Sequence, residues 1–241
     1  MSLSIQEILK KNDYRTWENP SKNYQYYQEW NDALFFHWKV DVETLRKFVP
    51  EKLELDLLNG EAWISLVAFT MEKIRPIGLP AVSFISNFDE INLRTYVVKD
   101  GKPGVYFLNI EAGKWWSAKI AKALSGLPYE FARMRRNRTN AFQSIFDKKG
   151  FSFSARYRIG KLIEEKSEID LFLTERYCLY IEEKNQMYRF EIHHIPWEIN
   201  QLWVSELETN YRLETIDLNR IPQKMHYSKG VQVVAWGKVK V

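Results

Sequence analysis

Short segments in which apolar and polar residues alternate recur along this chain, and tight-turn signals separate several of them. Alternation with a period of two places one set of side chains on each face of a strand. Three pairs of such segments flank a turn and predict antiparallel hairpins: residues 53–57 with 62–69 around Asn59-Gly60, 91–98 with 104–110 around 99–102, and 177–182 with 187–193 around Lys184-Asn185. The chain therefore folds mainly as a sheet.

Few segments depart from this strand pattern. Residues 112–125 follow a helical period that ends at Gly126, and a capping-box spacing at Ser4 predicts a short helix in a peripheral N-terminal segment, residues 1–25. No linker, repeat or shift in composition divides the chain, so we expect one domain over residues 1–241. Many hairpins with one or two inserted helices predict an α+β, mainly β fold, either a barrel or a folded-over sheet.

The apolar side of the predicted 112–125 helix should pack on the sheet. It carries Trp116, Ile120, Ala123 and Leu124. More generally, aromatic residues are abundant, with 9 Trp, 13 Tyr and 14 Phe among 241 residues. Large rigid rings of this kind suit either a thick core or the wall of a ligand cavity.

The single cysteine, Cys178, lies in an apolar run and cannot form an internal disulfide. We expect it to be a small buried hydrophobe in a protein of a reducing compartment. The N-terminus has no basic region followed by an apolar stretch, and no segment reaches the ~20 apolar residues of a membrane span. The sequence thus predicts a cytoplasmic protein without a membrane partner.

The formal net charge is only +4, with both signs interspersed along the chain. The densest basic cluster consists of Arg133, Arg135, Arg136 and Arg138. It could bind phosphate or nucleic acid, but it has little aromatic interleaving, which favours a solvated strand edge and turn. We therefore expect no nucleic-acid partner, and retention on heparin would contradict this.

Four histidines could suggest a metal site: His37, His193, His194 and His226. Adjacent residues of a strand point to opposite faces, so His193 and His194 cannot ligate one ion together in a regular strand. No pair of Cys or His residues has the spacing of a zinc site. We expect no metal and no cofactor, and structural hydrogen bonds for these rings.

The segment Glu90-Ile91-Asn92-Leu93-Arg94-Thr95-Tyr96-Val97 has two different faces. Glu90, Asn92, Arg94 and Tyr96 share one of them, and apolar residues and Thr95 form the other. A polar face in water is one interpretation. The other is a closed sheet whose polar stripe points inward, where Arg94 would hold Glu90 ionised or orient an anionic ligand. Arg156 and Ser154 share one face of another predicted strand. If that face is interior, they form a second pair that could hold an anion; otherwise both are ordinary surface residues.

Several motifs along the chain match those of one known family. They are Trp30-Asn31-Asp32, His37-Trp38, Gly60-Glu61-Ala62-Trp63, residues 90–97, Gly104-Val105-Tyr106-Phe107, Gly126-Leu127-Pro128-Tyr129, residues 172–177, His194-Ile195-Pro196-Trp197 and His226-Tyr227-Ser228. In these motifs the sequence resembles the YqjF-like family of uncharacterised bacterial proteins, and the resemblance covers nearly the whole chain after the first ~25 residues.

This resemblance implies an acetoacetate-decarboxylase-like fold: a closed or nearly closed antiparallel β-barrel-like sheet with a few helices and a central cavity. In the decarboxylases a glutamate begins a strand, and a Gly-x-Pro-Lys-Lys stretch supplies the lysine that forms a Schiff base. Glu90 matches the glutamate, whereas Tyr129 and Glu130 stand where the two lysines would be. Neither residue can form an imine, because that step needs a free amine. We therefore expect that the protein is not an acetoacetate decarboxylase.

Three functions stay open from the sequence. The first is a barrel that binds a small organic ligand, anionic or carbonyl-bearing, with Asn92, Arg94, Tyr96, Glu130 and Arg156 as candidate ligand-binding residues. The second is an enzyme that works without an imine, by enolisation, isomerisation or hydration, with Glu90 as general acid/base and Tyr129 as proton donor or orienter. The third is an interaction protein with a solid core. The oligomeric state is not readable from the sequence.

Overall fold

A computed structural model describes residues 3–137 and 140–241. Arg138 of the basic cluster lies outside the described residues. The described helices are α1 (Ile5–Lys10), α2 (Val42–Arg46), α3 (Ser83–Ser86), α4 (Trp115–Ser125) and α5 (Glu168–Thr174). The described strands are β1 (Tyr26–Val40), β2 (Glu54–Leu55), β3 (Ala62–Pro76), β4 (Phe88–Lys99), β5 (Lys102–Ala112), β6 (Tyr129–Phe131), β7 (Arg133–Asn137), β8 (Ala141–Phe146), β9 (Phe151–Leu162), β10 (Cys178–Glu183), β11 (Gln186–His193), β12 (Asn200–Asn210), β13 (Arg212–Leu213), β14 (Ile216–Asp217), β15 (Lys224–Ala235) and β16 (Val239–Lys240).

Seven strands close into a ring, which we call the strand ring. Their order is β15, β1, β3, β4, β5, β10 and β11, and β11 returns to β15 through Ile192 and His193. All neighbours in the ring are antiparallel except β5 and β10, which pair in parallel at Val105 and Tyr106. The expected mainly β fold with a closed sheet and a few helices is confirmed.

The parallel contact between β5 and β10 depends on a close approach of the two backbones at Gly104. A Cβ at this position would lie 2.6 Å from the carbonyl oxygen of Cys178 and 2.7 Å from its sulfur. Only glycine leaves room for such a contact. Cys178 itself is buried, as expected.

The same sheet extends beyond the ring from β15. It runs through β12, β9, β8 and β7. Its aromatic inner face includes Phe142, Phe153 and Tyr157, which belong to one core cluster with Ile91 and Leu93 of β4. Strand β4 is therefore covered on both faces, by this core on one and by the interior of the strand ring on the other.

The hairpins predicted around residues 99–102 and around Lys184-Asn185 are confirmed as β4–β5 and β10–β11. The predicted pairing of residues 53–57 with 62–69 is wrong. Asn59 and Gly60 do form a turn with positive φ angles, but β2 pairs with Val97 and Val98 of β4. This happens because β3 is already paired on both edges, with β1 and β4, so no edge of β3 is free for β2.

Helix α4 ends at Gly126 in the left-handed conformation, as the sequence predicts, but its packing differs from the expectation. The side that faces the protein carries the small residues Ser117, Ala118 and Ala121, whereas Trp116 and Leu124 are exposed. Small side chains let the helix lie close to the strand ring, and its large apolar side chains then point away from the sheet.

The N-terminal segment lies against β11 and β15. The buried Arg15 donates to Glu191 of β11 at 3.1 Å, and the backbone amide of Leu3 donates to the Gln232 side chain of β15 at 3.0 Å. None of the helices in residues 3–137 and 140–241 combines the length and the apolar composition of a membrane span.

Candidate functional site

A cavity of about 330 Å³ lies inside the strand ring. Each of the seven ring strands contributes lining residues, which include Trp30, Phe69, Asn92, Phe107, Leu179, Ile192 and Ala235. Residues of α3 and α4 and of the segment before α3 complete the wall. The volume falls in the usual range for small-molecule sites, and most of the lining is apolar.

The polar stripe of β4 points into this cavity. Glu90, Asn92 and Arg94 all line it, and all three are buried. The interpretation of this face as a solvated surface is therefore wrong, because closure of the strand ring turns it inward. Ile91 and Leu93 occupy the opposite face and pack in the core.

Glu90 is held in the cavity as a carboxylic acid. Burial raises its pKa from the ordinary value of 4.5 to about 8, although the Tyr129 hydroxyl donates to Glu90 Oε2 at 3.2 Å and Asn92 also hydrogen-bonds to it. Burial and the neighbouring Glu90 likewise raise the pKa of Tyr129 far above its usual range. At neutral pH the pair therefore offers proton donors and carries no charge.

Arg94 does not pair with Glu90. Four residues along a strand correspond to about 13 Å, so the two groups mark separate points of the cavity wall. Within the described chain no carboxylate forms an ion pair with Arg94, whose guanidinium hydrogen-bonds to Tyr96 and donates to the carbonyl oxygen of Leu173 at 3.3 Å. The expectation that Arg94 keeps Glu90 ionised is thus wrong, because distance separates them and burial dominates at Glu90.

Buried polar atoms without a hydrogen-bond partner concentrate in this cavity. Seven such atoms occur in residues 3–137 and 140–241, and four belong to residues that line the cavity. These four are Trp30 Nε1, Asn92 Oδ1, Arg94 Nε and His194 Nε2. Leaving a buried polar atom unpaired costs about 1–3 kcal/mol, so native proteins rarely gather several of them at one place.

The His194 ring lines the cavity, and its Nε2 has no hydrogen-bond partner in the described chain. Its Nδ1 lies 2.7 Å from the carbonyl oxygen of Ile195, which can only accept, so Nδ1 carries the proton and Nε2 does not. Burial lowers the pKa of the ring, which keeps it neutral. His193, by contrast, points to the N-terminal segment, where its Nε2 lies 2.9 Å from the carbonyl oxygen of Ile8.

Tyr96 is brought close to this site but lies behind its wall. It is fully buried, contacts the Ser65 hydroxyl at 2.5 Å and donates to the carbonyl oxygen of Leu173 at 2.8 Å. Because the same carbonyl accepts from Arg94, Tyr96 helps to fix the position of the guanidinium rather than lining the cavity.

Glu130 and Arg156 do not lie in the cavity, in contrast to the expectation for both. Strand β6 points Tyr129 inward, so its neighbour Glu130 points outward, where Lys148 and Lys149 pair with it. Arg156 lies on the solvent face of β9, where it pairs with Glu206 at 3.3 Å. The inner face of β9 is the aromatic one.

Arg176 is a second buried arginine beside the cavity. Its guanidinium pairs with Asp56 at 2.5 Å, while Glu175 pairs with Lys166 at 2.6 Å. Arg176 lines the cavity, but the bond to Asp56 already neutralises it. Arg94 therefore differs from it in facing the cavity without an acid partner in the described chain.

His194, Trp30 and Trp197 also belong to the site, although no pattern in the sequence assigns them to it. The Trp30 and Trp197 rings stack at 6.0 Å, and His194 contacts both. All three residues lie in motifs that match the YqjF-like family, Trp30-Asn31-Asp32 and His194-Ile195-Pro196-Trp197, and these matches could have indicated them. Strand periodicity gave no signal for residues 194–197, which follow the end of β11.

His37 and His226 form a separate buried network. His37 Nε2 lies 3.2 Å from His226 Nδ1, and His226 Nε2 lies 2.8 Å from Asp170, which also pairs with Lys224. Across the part of the chain that the structure describes, no group of three or more His, Cys, Asp or Glu residues has the arrangement of a metal site.

Comparisons with known proteins place the chain in an uncharacterised family. The model of DUF2071, described as an uncharacterised conserved protein, matches residues 27–232. The uncharacterised protein YqjF of Bacillus subtilis is 38% identical over 217 residues, which cover 87% of this chain and 89% of that protein.

Solved structures share the fold at low identity. The enduracididine biosynthesis enzyme MppR, solved with pyruvate, aligns with a TM-score of 0.60 and 11% identity over 95% of this chain and 93% of its own. Acetoacetate decarboxylase of Legionella pneumophila aligns with a TM-score of 0.61 and 12% identity over 100% of this chain and 98% of its own. At these identities the likeness concerns the fold alone.

Proposed function

Because the chain belongs to the uncharacterised DUF2071 family and has an acetoacetate-decarboxylase-like fold, we propose that it binds a small organic anion with an apolar body inside its strand ring. The observation that carries this proposal is Arg94, a buried guanidinium that faces an apolar cavity without a carboxylate partner in the described chain. A ligand carboxylate would supply the missing charge and accept from Nε.

The remaining unpaired groups define the rest of the ligand. Asn92 Oδ1 and His194 Nε2 accept hydrogen bonds, while Trp30 Nε1 and protonated Glu90 donate them. A carbonyl or hydroxyl group near the carboxylate would satisfy some of these atoms. The aromatic and aliphatic wall suits a larger apolar body than the methyl group of pyruvate.

Binding can be tested by calorimetry with pyruvate, phenylpyruvate and the neutral methyl ester of phenylpyruvate. We expect phenylpyruvate to bind more tightly than pyruvate, because it fills the apolar wall, and the ester to bind poorly, because it lacks the charge. Arg94→Gln should weaken phenylpyruvate binding at least about tenfold, since a hydrogen bond to a charged group contributes about 1.5–3 kcal/mol. Arg156→Gln, which removes an exposed arginine, is the matched control.

Equal affinity for the acid and its ester, or equal weakening by Arg94→Gln and Arg156→Gln, would contradict the proposal. Native mass spectrometry of freshly purified protein provides an independent readout, in which the mass of a co-purified anion identifies the ligand class directly.

A second function follows from the neutral state of Glu90: catalysis of enolisation without an imine. Enolisation needs an acid for the carbonyl oxygen and a base for the proton on the neighbouring carbon. Protonated Glu90 is a suitable acid near neutral pH, Tyr129 orients it, and the unprotonated His194 Nε2 is a suitable base. In the described chain no lysine lines the cavity, which supports a mechanism without a Schiff base.

Deuterium incorporation at the carbon next to the carbonyl group of phenylpyruvate, followed by NMR against the uncatalysed rate, tests this second function. Glu90→Gln should abolish the catalysed exchange while the ligand still binds. Exchange that survives Glu90→Gln would remove Glu90 from the mechanism. Borohydride trapping of acetoacetate on the protein would overturn the exclusion of an imine.

A further inference from the structure

The mouth of the cavity is surrounded by exposed apolar side chains. Leu79, Val82 and Leu124 line the cavity and are exposed at the same time, which places its opening between the segment before α3 and helix α4. We call the exposed residues of this region the mouth surface. It consists of residues 77–84 together with Lys114, Trp115, Trp116, Lys119, Lys122 and Leu124.

Exposed apolar side chains are unusually dense here. Sixteen large hydrophobic residues are exposed in the described chain, and seven of them belong to the mouth surface. These seven, which are 44–66% exposed, are Ile77, Leu79, Val82, Phe84, Trp115, Trp116 and Leu124. The other nine are distributed over six helices and strands and two loops. A contiguous apolar patch on a protein surface usually marks an interaction site.

The two halves of the mouth surface are fixed to each other. The Ser117 hydroxyl of α4 donates to the carbonyl oxygen of Ile85 at 2.8 Å, and Lys114 Nζ donates to that of Phe84 at 3.2 Å. The Trp115 and Trp116 rings pack edge to face, with centroids 4.5 Å apart. The exposed rings therefore form one preassembled surface.

The charges of this surface have one sign. Residues 77–87 contain no charged side chain, and residues 113–128 contain three lysines and no acid. Lys119 Nζ lies 3.9 Å from the Trp115 ring centroid, so cation and aromatic ring are presented side by side. Beyond the C-terminus of α4, the acid near Gly126 is Glu183, which Lys238 already pairs at 2.6 Å.

Exposed apolar side chains beside lysines favour an anionic membrane as the partner of the mouth surface. Tryptophan, phenylalanine and leucine beside lysines are the side chains that enter the headgroup region of an anionic bilayer. A symmetric dimer through the same surface would place lysines against lysines and leave them without acids. A bilayer instead provides both an apolar layer for the rings and phosphates for the lysines.

We propose that the mouth surface docks the protein reversibly on anionic phospholipid membranes. Docking would set the opening of the cavity against the lipid, so that an amphipathic ligand could pass between bilayer and cavity without crossing water. The short apolar segments argue against a helix that spans the membrane, and the low net charge argues against a general attraction of the whole protein to anionic lipid. Reversible docking requires neither. It concerns a local surface and holds whether or not the anion proposed above is the ligand.

Sedimentation of the full-length protein with phospholipid vesicles tests this proposal. Phosphatidylcholine vesicles with phosphatidylglycerol should bind the protein at least tenfold more tightly than phosphatidylcholine vesicles alone. A triple variant, Phe84→Ser, Trp115→Ser and Trp116→Ser, should reduce that binding at least tenfold. A second triple variant, Lys114→Gln, Lys119→Gln and Lys122→Gln, should remove the preference for anionic lipid. Trp203→Ser, which changes an exposed tryptophan of β12, is the matched control and should bind as the wild type does.

Circular dichroism would show that the variants keep their fold, as expected for exposed positions. Absence of vesicle binding by the wild type, or binding that both triple variants retain, would overturn the proposal. So would a stable dimer that the aromatic variant converts to a monomer, because the surface would then belong to an interface between copies of the chain.

Discussion

The buried carboxyl group of Glu90 should make the stability of this protein depend on pH in a way that one substitution removes. The folded protein holds the Glu90 proton up to about pH 8, whereas an unfolded chain releases it near the ordinary value of 4.5. Folding therefore takes up a proton between these two pH values, and the free energy of unfolding falls as pH rises through that window. Glu90→Gln keeps the shape of the protonated acid and its acceptor for Tyr129, but it cannot titrate.

The size of the effect follows from the two pKa values. At about 1.4 kcal/mol for each pH unit, moving a pKa from 4.5 to about 8 corresponds to about 5 kcal/mol in full. Between about pH 5.5 and about pH 7.5, the wild type should lose about 3 kcal/mol relative to Glu90→Gln. Urea denaturation followed by tryptophan fluorescence, repeated at several pH values, measures this difference directly.

Glu111, a second buried glutamate outside the cavity, also contributes to the pH dependence of stability. Burial raises its pKa to about 7, although Tyr211, Ser144 and Asn109 all donate to its carboxylate. It titrates equally in the wild type and in Glu90→Gln, so its contribution cancels in the comparison. Parallel stability curves for the two proteins across this pH range would refute the assignment of a neutral carboxyl group at Glu90.

Three further predictions concern the scaffold around the cavity. Glu191→Gln should lower the free energy of unfolding by about 3–5 kcal/mol, because it leaves the fully buried Arg15 without its acid; a loss below 1 kcal/mol in urea denaturation would contradict this. Gly104→Ala should cost about 1–3 kcal/mol in the same assay, because the added Cβ meets the Cys178 backbone; an unchanged midpoint would show that the closure of the ring relaxes freely. The Cys178 thiol, whose pKa burial raises to about 12, should react with a thiol reagent only after denaturation, so rapid labelling of the native protein would contradict its burial.

Local patterns in the sequence were sufficient to predict most strands and two of the three hairpins. A hairpin depends on a turn and on alternation within some twenty residues, and both are visible at residues 99–102 and at Lys184-Asn185. The parallel contact of β5 with β10 and the return of β11 to β15 connect residues far apart in the chain. No local pattern specifies these contacts, so closure of the ring was expected from the resemblance to a known fold.

The same reason explains which site residues were placed correctly. Alternation assigned Glu90, Asn92 and Arg94 to one face of β4, but only closure of the ring decides that this face is interior. Tyr129 and Glu130 are neighbours on β6, so only one of them can face the cavity. Alternation along a strand therefore argues against the expectation that both do. At α4 the usual assumption that large apolar residues face the core failed, because the helix packs through Ser117, Ala118 and Ala121.

Tyr129 and Glu130, which stand where the resemblance to decarboxylases would place two lysines, have different consequences for the cavity. Glu130 points outward to Lys148 and Lys149, so its substitution leaves the chemistry of the cavity unchanged. Tyr129 points inward and donates to Glu90, and no lysine of the described chain lines the cavity. A buried amine beside Glu90 would draw the proton from the acid and form an ion pair. A phenol cannot do so, and Glu90 therefore keeps its proton near neutral pH. Tyr129 thus preserves a neutral acid in the site, and Arg94 is the buried arginine of the cavity wall that has no acid partner in the described chain.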